Sequence, residues 1–273
     1  MLQENDIRFF QDNGYLIVRD LFPKENLLAV RKQLELLFSS ETYLNAPQSS
    51  PQIINDLYRF APDLLPLIFT EKYLSVVFDL LGPQAAWIPE CAAHRQRFFD
   101  WHKDSSGVER AGMQSHKTYP YPLLTAAVYL QDNGISGGGL SVVAGSQQSP
   151  DRTLPYYSKS FLARVKHKLL KWLGKSELDR LEQDPKKIDL PSRLGDLVIF
   201  DIRLSHKATF PQIKSPIEKL AIFNAFVRND EVGNAFLAYQ KLRPEPFYQY
   251  FSQSTLPDCV YQWAKRAGIP ILF

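Results

Sequence analysis

Residues 98–104 read FFDWHKD and place two potential metal ligands, His102 and Asp104, two positions apart. On a β-strand, residues i and i+2 point to the same face, so this imidazole and this carboxylate are expected to converge on one metal ion. Two ligands are too few for a facial Fe(II) site, which needs a second histidine and leaves three positions open. His206, the last residue of the segment 195–206 (GDLVIFDIRLSH), is the candidate for the third ligand.

The His-x-Asp spacing is weak evidence when taken alone, because the chain has five histidines and 29 acidic residues in 273. A chain of this composition contains such a spacing about half a time by accident. A surface or hydrogen-bonded histidine is the alternative interpretation. Asp100 also lies two residues from His102, so the spacing leaves the choice of carboxylate open.

The composition is that of a globular protein with a large core, at 45% hydrophobic and 13% aromatic residues. We expect one elaborated domain, because no repeat of solenoid length and no low-complexity tract interrupts the chain. The net charge of +3 is too small to indicate a nucleic-acid partner.

The two cysteines, Cys91 and Cys259, are far apart and lack C-x-x-C spacing. This excludes a zinc ribbon or finger and favours free thiols in a reducing compartment. The first residues, 1–6, are polar and acidic with no apolar segment after them, so we expect no secretory signal. No apolar run approaches the ~20 residues of a transmembrane helix. These features predict a soluble, cytoplasmic protein.

The first 83 residues predict a helical layer. Asn13-Gly14 ends a helix over 4–13, and Gly82-Pro83 ends another over 71–81. Between them, residues 15–18 predict a strand and residues 39–54 a surface loop. A helix over 24–39 is predicted to bury one face, formed by Leu27, Val30, Leu34 and Leu37.

Short strand-like runs dominate the next part of the chain and predict a mainly β barrel or jelly roll. They lie at residues 86–89, 95–101, 125–130, 140–143, 196–200 and 220–226. We expect a core over 84–230 with a helical insertion at about 150–190, followed by a C-terminal wrap over 231–273 that includes Tyr239, Phe247, Tyr248, Tyr250 and Phe251.

The insertion contains a helix candidate from Ser160 to Leu173. Its apolar residues recur at intervals of four, four and three, as on one helix face: Phe161, Val165, Leu169 and Trp172. Basic residues accompany them: Arg164, Lys166, His167, Lys168, Lys171 and Lys175. The helix is either a lid that packs its apolar stripe on the barrel, or a basic face for an anion. That anion is the phosphate of a carrier-linked substrate or a lipid surface.

Taken in order, four segments resemble the phytanoyl-CoA dioxygenase family of Fe(II)/2-oxoglutarate oxygenases: residues 9–22 (FFQDNGYLIVRDLF), 101–104 (WHKD), 138–146 (GGLSVVAGS) and 195–206. The resemblance spans roughly residues 5 to 230 and implies a double-stranded β-helix, a cupin-like jelly roll, with an N-terminal helical layer. It also implies that His102, Asp104 and His206 are the iron ligands, which favours Asp104 over Asp100.

The resemblance places an arginine about ten residues after the second histidine to bind the far carboxylate of 2-oxoglutarate, and this chain departs from it. No arginine occurs before Arg228, so Lys219 is the best basic residue for that role; a lysine supplies the charge without the bidentate fork. Thr125 and Tyr129, on a strand expected to cross the cavity, are further candidates to bind 2-oxoglutarate. The family often has Gly-Ser-His where this chain has Gly-Ser-Gln at 145–147.

The resemblance implies an enzyme that consumes O2 and 2-oxoglutarate, releases succinate and CO2, and hydroxylates or otherwise oxidises an unactivated C–H bond of a small or carrier-linked organic substrate. The carboxylate of Asp104 argues against halogenation, because the family's halogenating relatives lack that ligand. Two alternatives remain: a cupin-like metal-dependent isomerase or hydrolase, and a family member that binds ligands without turnover. His94, His116 and His167 receive no role in either scheme.

Overall fold

Two antiparallel sheets form the centre of the molecule in this computed structural model. The larger sheet has the strand order β1-β7-β4-β9-β3-β2, and the smaller one has the order β6-β5-β8. The strands are β1 Tyr15–Val18, β2 Ile53–Ile54, β3 Ala85–Arg95, β4 Leu123–Tyr129, β5 Leu140–Val143, β6 Lys187–Asp189, β7 Leu197–Asp201, β8 His206–Ala208 and β9 Leu220–Arg228. The structure describes residues 2–46, 50–110, 112–117, 121, 123–153, 161–211, 217–242 and 255–272.

Helices flank the sheets, and most belong to the N-terminal part or to the end of the chain. Within the described residues they are α1 Glu4–Asn13, α2 Lys24–Phe38, α3 Glu41–Leu44, α4 Leu57–Phe60, α5 Leu65–Ile68, α6 Glu71–Leu81, α7 Ser106–Arg110, α8 Asn133–Ser136, α9 Phe161–Trp172, α10 Glu177–Glu182, α11 Glu231–Lys241 and α12 Asp258–Ala267. This arrangement confirms the predicted jelly-roll core with flanking helices.

The N-terminal helices cover one face of the larger sheet. Alternate residues of β9, such as Ile222 and Phe226, belong to the same apolar cluster as Leu27 and Val30 of α2. Residues between them, such as Phe223 and Ala225, face the opposite side, because side chains alternate along a strand. The larger sheet therefore has one face for the core and one face for a cavity.

The predicted ends of α1 and α6 are confirmed. Gly14 ends α1 in the left-handed conformation, with φ of 81°, and its N–H donates to Phe10 O at 2.7 Å. The loop predicted over 39–54 is wrong in part, since α3 and β2 lie within it. Tyr43 of α3 is buried and its hydroxyl donates to the carbonyl of Ile53 at 2.6 Å. One buried aromatic side chain thus links α3 to β2.

The strand predicted over 95–101 is also wrong. β3 instead runs from Ala85 to Arg95 as one long strand, with a bulge between Ile88 and Cys91 opposite β9. Residues 96–101 leave the sheet, and Gln96 has a positive φ of 49°. His102 and Asp104 therefore do not share a regular strand.

Within the described residues, the C-terminal part contributes the helices α11 and α12 and an extended segment after α12. Ile271 pairs with Trp87, and Leu272 N donates to Trp87 O at 3.0 Å. Of the aromatic residues expected in this wrap, only Tyr239 lies within the described residues; Phe247, Tyr248, Tyr250 and Phe251 lie outside them. Among the described residues, no helix combines the length and apolar character needed to cross a membrane.

Candidate active site

His102 and His206 face each other across a two-residue antiparallel bridge. His206 begins β8, whereas His102 lies outside any named strand and is paired to β8 only through this bridge. The two imidazole rings lie 4.3 Å apart between centroids. A backbone pair between two distant parts of the chain, and not strand periodicity, brings these histidines together.

Asp104 approaches the two histidines from a turn that follows His102. Its Oδ1 lies 3.5 Å from Nε2 of His102 and 3.6 Å from Nε2 of His206. Its other oxygen, Oδ2, accepts a hydrogen bond from the hydroxyl of Thr125 on β4 at 3.1 Å. One ligand atom from each of the three residues lies within 4.8 Å of the other two, a spacing that a single metal ion can bridge.

Both imidazoles have their Nδ1 atoms engaged by backbone carbonyls. Nδ1 of His102 lies 2.7 Å from Asp100 O, and Nδ1 of His206 lies 3.0 Å from Leu204 O. A carbonyl only accepts, so each Nδ1 carries a hydrogen, and each Nε2 keeps its lone pair when the ring is neutral. This is the tautomer that a metal-binding histidine needs.

The electrostatics of the triad suit a cation. Burial raises the pKa of Asp104, but His206, His102 and the Thr125 hydroxyl together hold that pKa well below its usual range. Burial and the neighbouring His102 lower the pKa of His206 to about 4, so its imidazole is neutral near pH 7. Burial also lowers the pKa of His102, but the adjacent carboxylate of Asp104 raises it above the ordinary value overall.

The competing carboxylate, Asp100, lies outside this cluster. Its Oδ1 accepts a hydrogen bond from the backbone N–H of Trp101 at 2.8 Å, and the residue is exposed. The structure therefore brings Asp104 beside both histidines and gives Asp100 a local capping contact.

The triad opens into a cavity of about 510 Å³ that also receives Thr125, Tyr129 and Lys219. Lys219 is buried, and its Nζ donates to Arg97 O at 2.6 Å. Burial lowers the pKa of Lys219 to about 8. The hydroxyl of Tyr129 is buried and makes no hydrogen bond within the described residues.

Gly138 makes room for Lys219. A Cβ at this glycine would lie 3.0 Å from Cγ of Lys219, and its φ of +87° is unfavourable for other residues. The glycine-rich turn before β5 thus allows the lysine stem to pass. Arg228, by contrast, is at the far end of β9, does not line the cavity, and pairs with Asp230. It is nine positions from Lys219, a distance of about 30 Å along an extended strand.

Two cavity residues were missed by the sequence reasoning. His94 packs on Phe223 with ring centroids 4.8 Å apart, and burial together with Lys219 and Arg97 lowers its pKa to about 3. Lys103, which lies between His102 and Asp104 in the sequence, is buried. Its Nζ donates to Ser146 O at 2.7 Å and to Ser149 O at 2.6 Å. No pattern in the sequence indicates either contact, because both depend on distant segments.

A comparison with protein-family models matches residues 10–210 to phytanoyl-CoA dioxygenase (PhyH). The chain belongs to the phytanoyl-CoA dioxygenase family. This membership covers most of the chain and confirms the predicted enzyme class, an oxygenase that depends on Fe(II) and 2-oxoglutarate. A search of curated proteins finds no match.

Solved structures share the fold of this family member at low sequence identity. EctD from S. alaskensis, solved with 2-oxoglutarate and 5-hydroxyectoine, is 18% identical with a TM-score of 0.58, covering 83% of this chain and 76% of EctD. HygX from Streptomyces hygroscopicus, solved with nickel and 2-oxoglutarate, is 18% identical with a TM-score of 0.60, covering 84% of this chain and 88% of HygX. SnoK, an alpha-ketoglutarate-dependent carbocyclase from nogalamycin biosynthesis, is 19% identical with a TM-score of 0.58, covering 84% and 85%.

Proposed function

We propose that His102, Asp104 and His206 hold Fe(II), and that the enzyme oxidises a C–H bond of a small or carrier-linked organic substrate. The observation that carries this proposal is the convergence of three ligand atoms within 4.8 Å of one another at the wall of one cavity. Two neutral imidazoles and one carboxylate are the donor set of the non-haem iron oxygenases. The chemistry supplied there by iron and 2-oxoglutarate is oxidative decarboxylation to succinate and CO2, coupled to oxidation of the substrate.

Residues of this chain prepare that donor set. The carbonyls of Asp100 and Leu204 hold each imidazole in the tautomer that presents Nε2. Thr125 restrains one oxygen of Asp104 and leaves Oδ1 directed between the histidines. Such partners orient ligands before a metal binds and thereby increase affinity.

We assign the far carboxylate of 2-oxoglutarate to Lys219. A lysine ammonium has three donors, and one of them is used by the carbonyl of Arg97. The Tyr129 hydroxyl, buried at the cavity wall without a described partner, is a second contact. Thr125 also lines the cavity. We propose that it contacts 2-oxoglutarate while it keeps its hydrogen bond with Asp104.

The far arm of the cavity is where we place the substrate. Lys219, which directly precedes β9, and Ala225 of β9 both line the cavity, and they are six positions, or about 20 Å, apart along the strand direction. Beyond Ala225 the lining includes Glu90 on the β3 bulge and Gln240 on α11, whose Nε2 donates to Glu90 at 3.3 Å. Glu90 and Gln240 give this arm polar groups, which supports a substrate with polar groups.

An anaerobic titration tests this proposal. Fe(II) and then 2-oxoglutarate are added to the apoprotein, and a metal-to-ligand absorption band is expected on formation of the chelate. Absence of the band would refute the proposal. A band without substrate-stimulated release of succinate would favour the non-catalytic alternative, and turnover that proceeds without 2-oxoglutarate would favour the isomerase or hydrolase.

We also propose a single domain over residues 1–273 and a location in the cytoplasm. Both cysteines are free, with Cys91 buried and Cys259 exposed, as expected in a reducing compartment. We further propose that the basic helix predicted over 160–175 contacts an anionic group.

A further inference from the structure

The helix α9 is amphipathic, and its charge has one sign. From Phe161 to Lys175 the sequence FLARVKHKLLKWLGK contains no acidic residue; the nearest ones are Asp151 and Glu177. The lysines Lys166, Lys168, Lys171 and Lys175 are all exposed. The segment is therefore a local concentration of positive charge on a chain whose net charge is only +3.

Three residues of the apolar stripe of α9 are exposed. Val165 is 48% exposed, Leu169 55% and Trp172 81%, and Leu173 beyond the last turn is 47% exposed. These side chains are not packed on the barrel, contrary to the expectation of a lid. Large apolar side chains exposed together on one helix mark an interaction surface.

The lysines flank the stripe on both sides. At 100° per residue, Val165, Leu169 and Trp172 fall within about 60° of one another around the helix. Taking Val165 as the origin, Lys168 lies about 60° to one side and Lys166 about 100° to the other. An apolar strip bordered by cations, with a tryptophan at one end, is the pattern of helices that lie in the interface of a bilayer.

We propose that α9 docks this enzyme on an anionic lipid surface, with its apolar stripe among the acyl chains and its lysines at the headgroups. A second copy of the chain does not fit, because the same face of another molecule would bring lysines against lysines. A single phosphate on a substrate would satisfy charge but leave Leu169 and Trp172 in water. A lipid surface satisfies both features at once.

The docking helix is connected to the candidate iron site. Residues 173–176 join α9 to α10, whose Leu178 and Leu181 pack in one cluster with Trp101. Glu182 of α10 also accepts a hydrogen bond from Nε1 of Trp101 at 3.0 Å. Trp101 directly precedes His102. The docked helix is therefore linked, through α10 and Trp101, to the loop that carries the proposed metal ligands.

Vesicle co-sedimentation of the full-length protein tests the inference. The probes are vesicles of pure phosphatidylcholine and vesicles with about 30% phosphatidylglycerol, since anionic lipid should attract the lysines. Binding is expected only to the anionic vesicles, and it should weaken several-fold between about 0.1 M and about 0.5 M salt.

Two double variants separate the contribution of the apolar stripe to vesicle binding from that of the lysines. Leu169→Ser with Trp172→Ser removes the stripe, and Lys168→Glu with Lys171→Glu reverses the charge; each is expected to weaken binding at least about tenfold. Matched controls are Leu36→Ser, at a leucine of α2 that is 65% exposed, and Lys265→Glu with Arg266→Glu on the exposed face of α12. The controls should bind as the unmodified protein does, and a thermal melt verifies that every variant folds.

The inference is overturned if the protein ignores anionic vesicles, binds neutral vesicles equally well, or loses binding equally in the controls. Self-association that depends on Trp172 without vesicle binding would show that a second copy occupies the stripe. A protein partner in place of lipid would likewise leave the vesicles unbound. None of these outcomes changes the iron titration, so this inference and the proposed enzyme function fail independently.

Discussion

His102 and His206, 104 residues apart in sequence, exchange both backbone hydrogen bonds: each N–H donates to the other's carbonyl at 2.9 Å. Directly opposed residues of an antiparallel pair project to the same face, so this exchange aligns the two imidazoles without a continuous strand. Asp104 then reaches both rings from the turn after His102. Backbone pairing thus brings together the two histidines of the proposed metal site.

The first prediction concerns the ligand set. His102→Ala, Asp104→Ala and His206→Ala should each abolish the absorption of the Fe(II)–2-oxoglutarate complex and iron-dependent succinate release, because each removes one of the three protein donors proposed for the metal. Asp100→Ala should retain both, since its carboxylate contacts only the backbone of Trp101 among the described residues. Retention in Asp104→Ala with loss in Asp100→Ala would reverse the choice of carboxylate.

A second prediction concerns the restraint on Asp104. Thr125→Val keeps the shape of the side chain and removes the hydroxyl that donates to Oδ2. Fe(II) affinity should fall about tenfold, the lower end of the effect of losing a partner of a metal ligand. Thr125→Ser is the matched control and should bind iron nearly as well as the unmodified protein. Equal affinity in the valine variant would show that this hydrogen bond does not orient the ligand.

Lys219 is the subject of the third prediction. Lys219→Met should raise the Kd for 2-oxoglutarate by about tenfold or more, from a loss of ~1.5 to 3 kcal/mol for a charge-assisted hydrogen bond. Iron binding should be unchanged, because the triad does not include this residue. Arg228→Ala is the control, since Arg228 pairs with Asp230 away from the cavity. An unaffected Kd in Lys219→Met with a defect in Arg228→Ala would reassign the role.

The fourth prediction is a pH dependence of cosubstrate binding. The pKa of Lys219 is about 8, so its ammonium is mostly charged at pH 7 and mostly neutral at pH 9. Affinity for 2-oxoglutarate should therefore fall as the pH rises through about 8, and should be full below it. Lys219→Arg, charged throughout this range, should remove the fall. Titrations at constant ionic strength measure it, and identical profiles for both proteins would contradict the assignment.

The fifth prediction concerns a buried hydrogen bond in the core. Tyr121 is 4% exposed and its hydroxyl donates to Leu80 O at 2.7 Å. Tyr121→Phe should lower the free energy of unfolding by about 1 kcal/mol, because it removes one buried hydrogen bond and keeps the ring. Denaturant titration of both proteins measures the difference, and an unchanged free energy of unfolding would show that this hydrogen bond does not stabilise the fold.

The sequence by itself predicted the parts of this protein that depend on neighbours along the chain. The helix over Glu71–Leu81 has the predicted bounds, because Thr70 caps its start and Gly82-Pro83 prevents its continuation. The order of motifs was sufficient to predict the family and the jelly roll, because those segments follow one another in the family's order from residue 9 to residue 206. Local pattern also predicted α9 and its amphipathic character.

Only the tertiary structure decided what those elements contact. Residues 96–101 were predicted as a strand from their composition, yet they leave the sheet, and His102 reaches Asp104 and His206 through a turn and a two-residue bridge. The sequence could name Lys219 as a basic residue, but its burial beside Gly138 depends on a turn 81 positions earlier in the chain. The exposure of the apolar stripe of α9 was likewise decided by the packing of distant segments. Periodicity determines which residues share a face, whereas the packing of distant segments determines what that face meets.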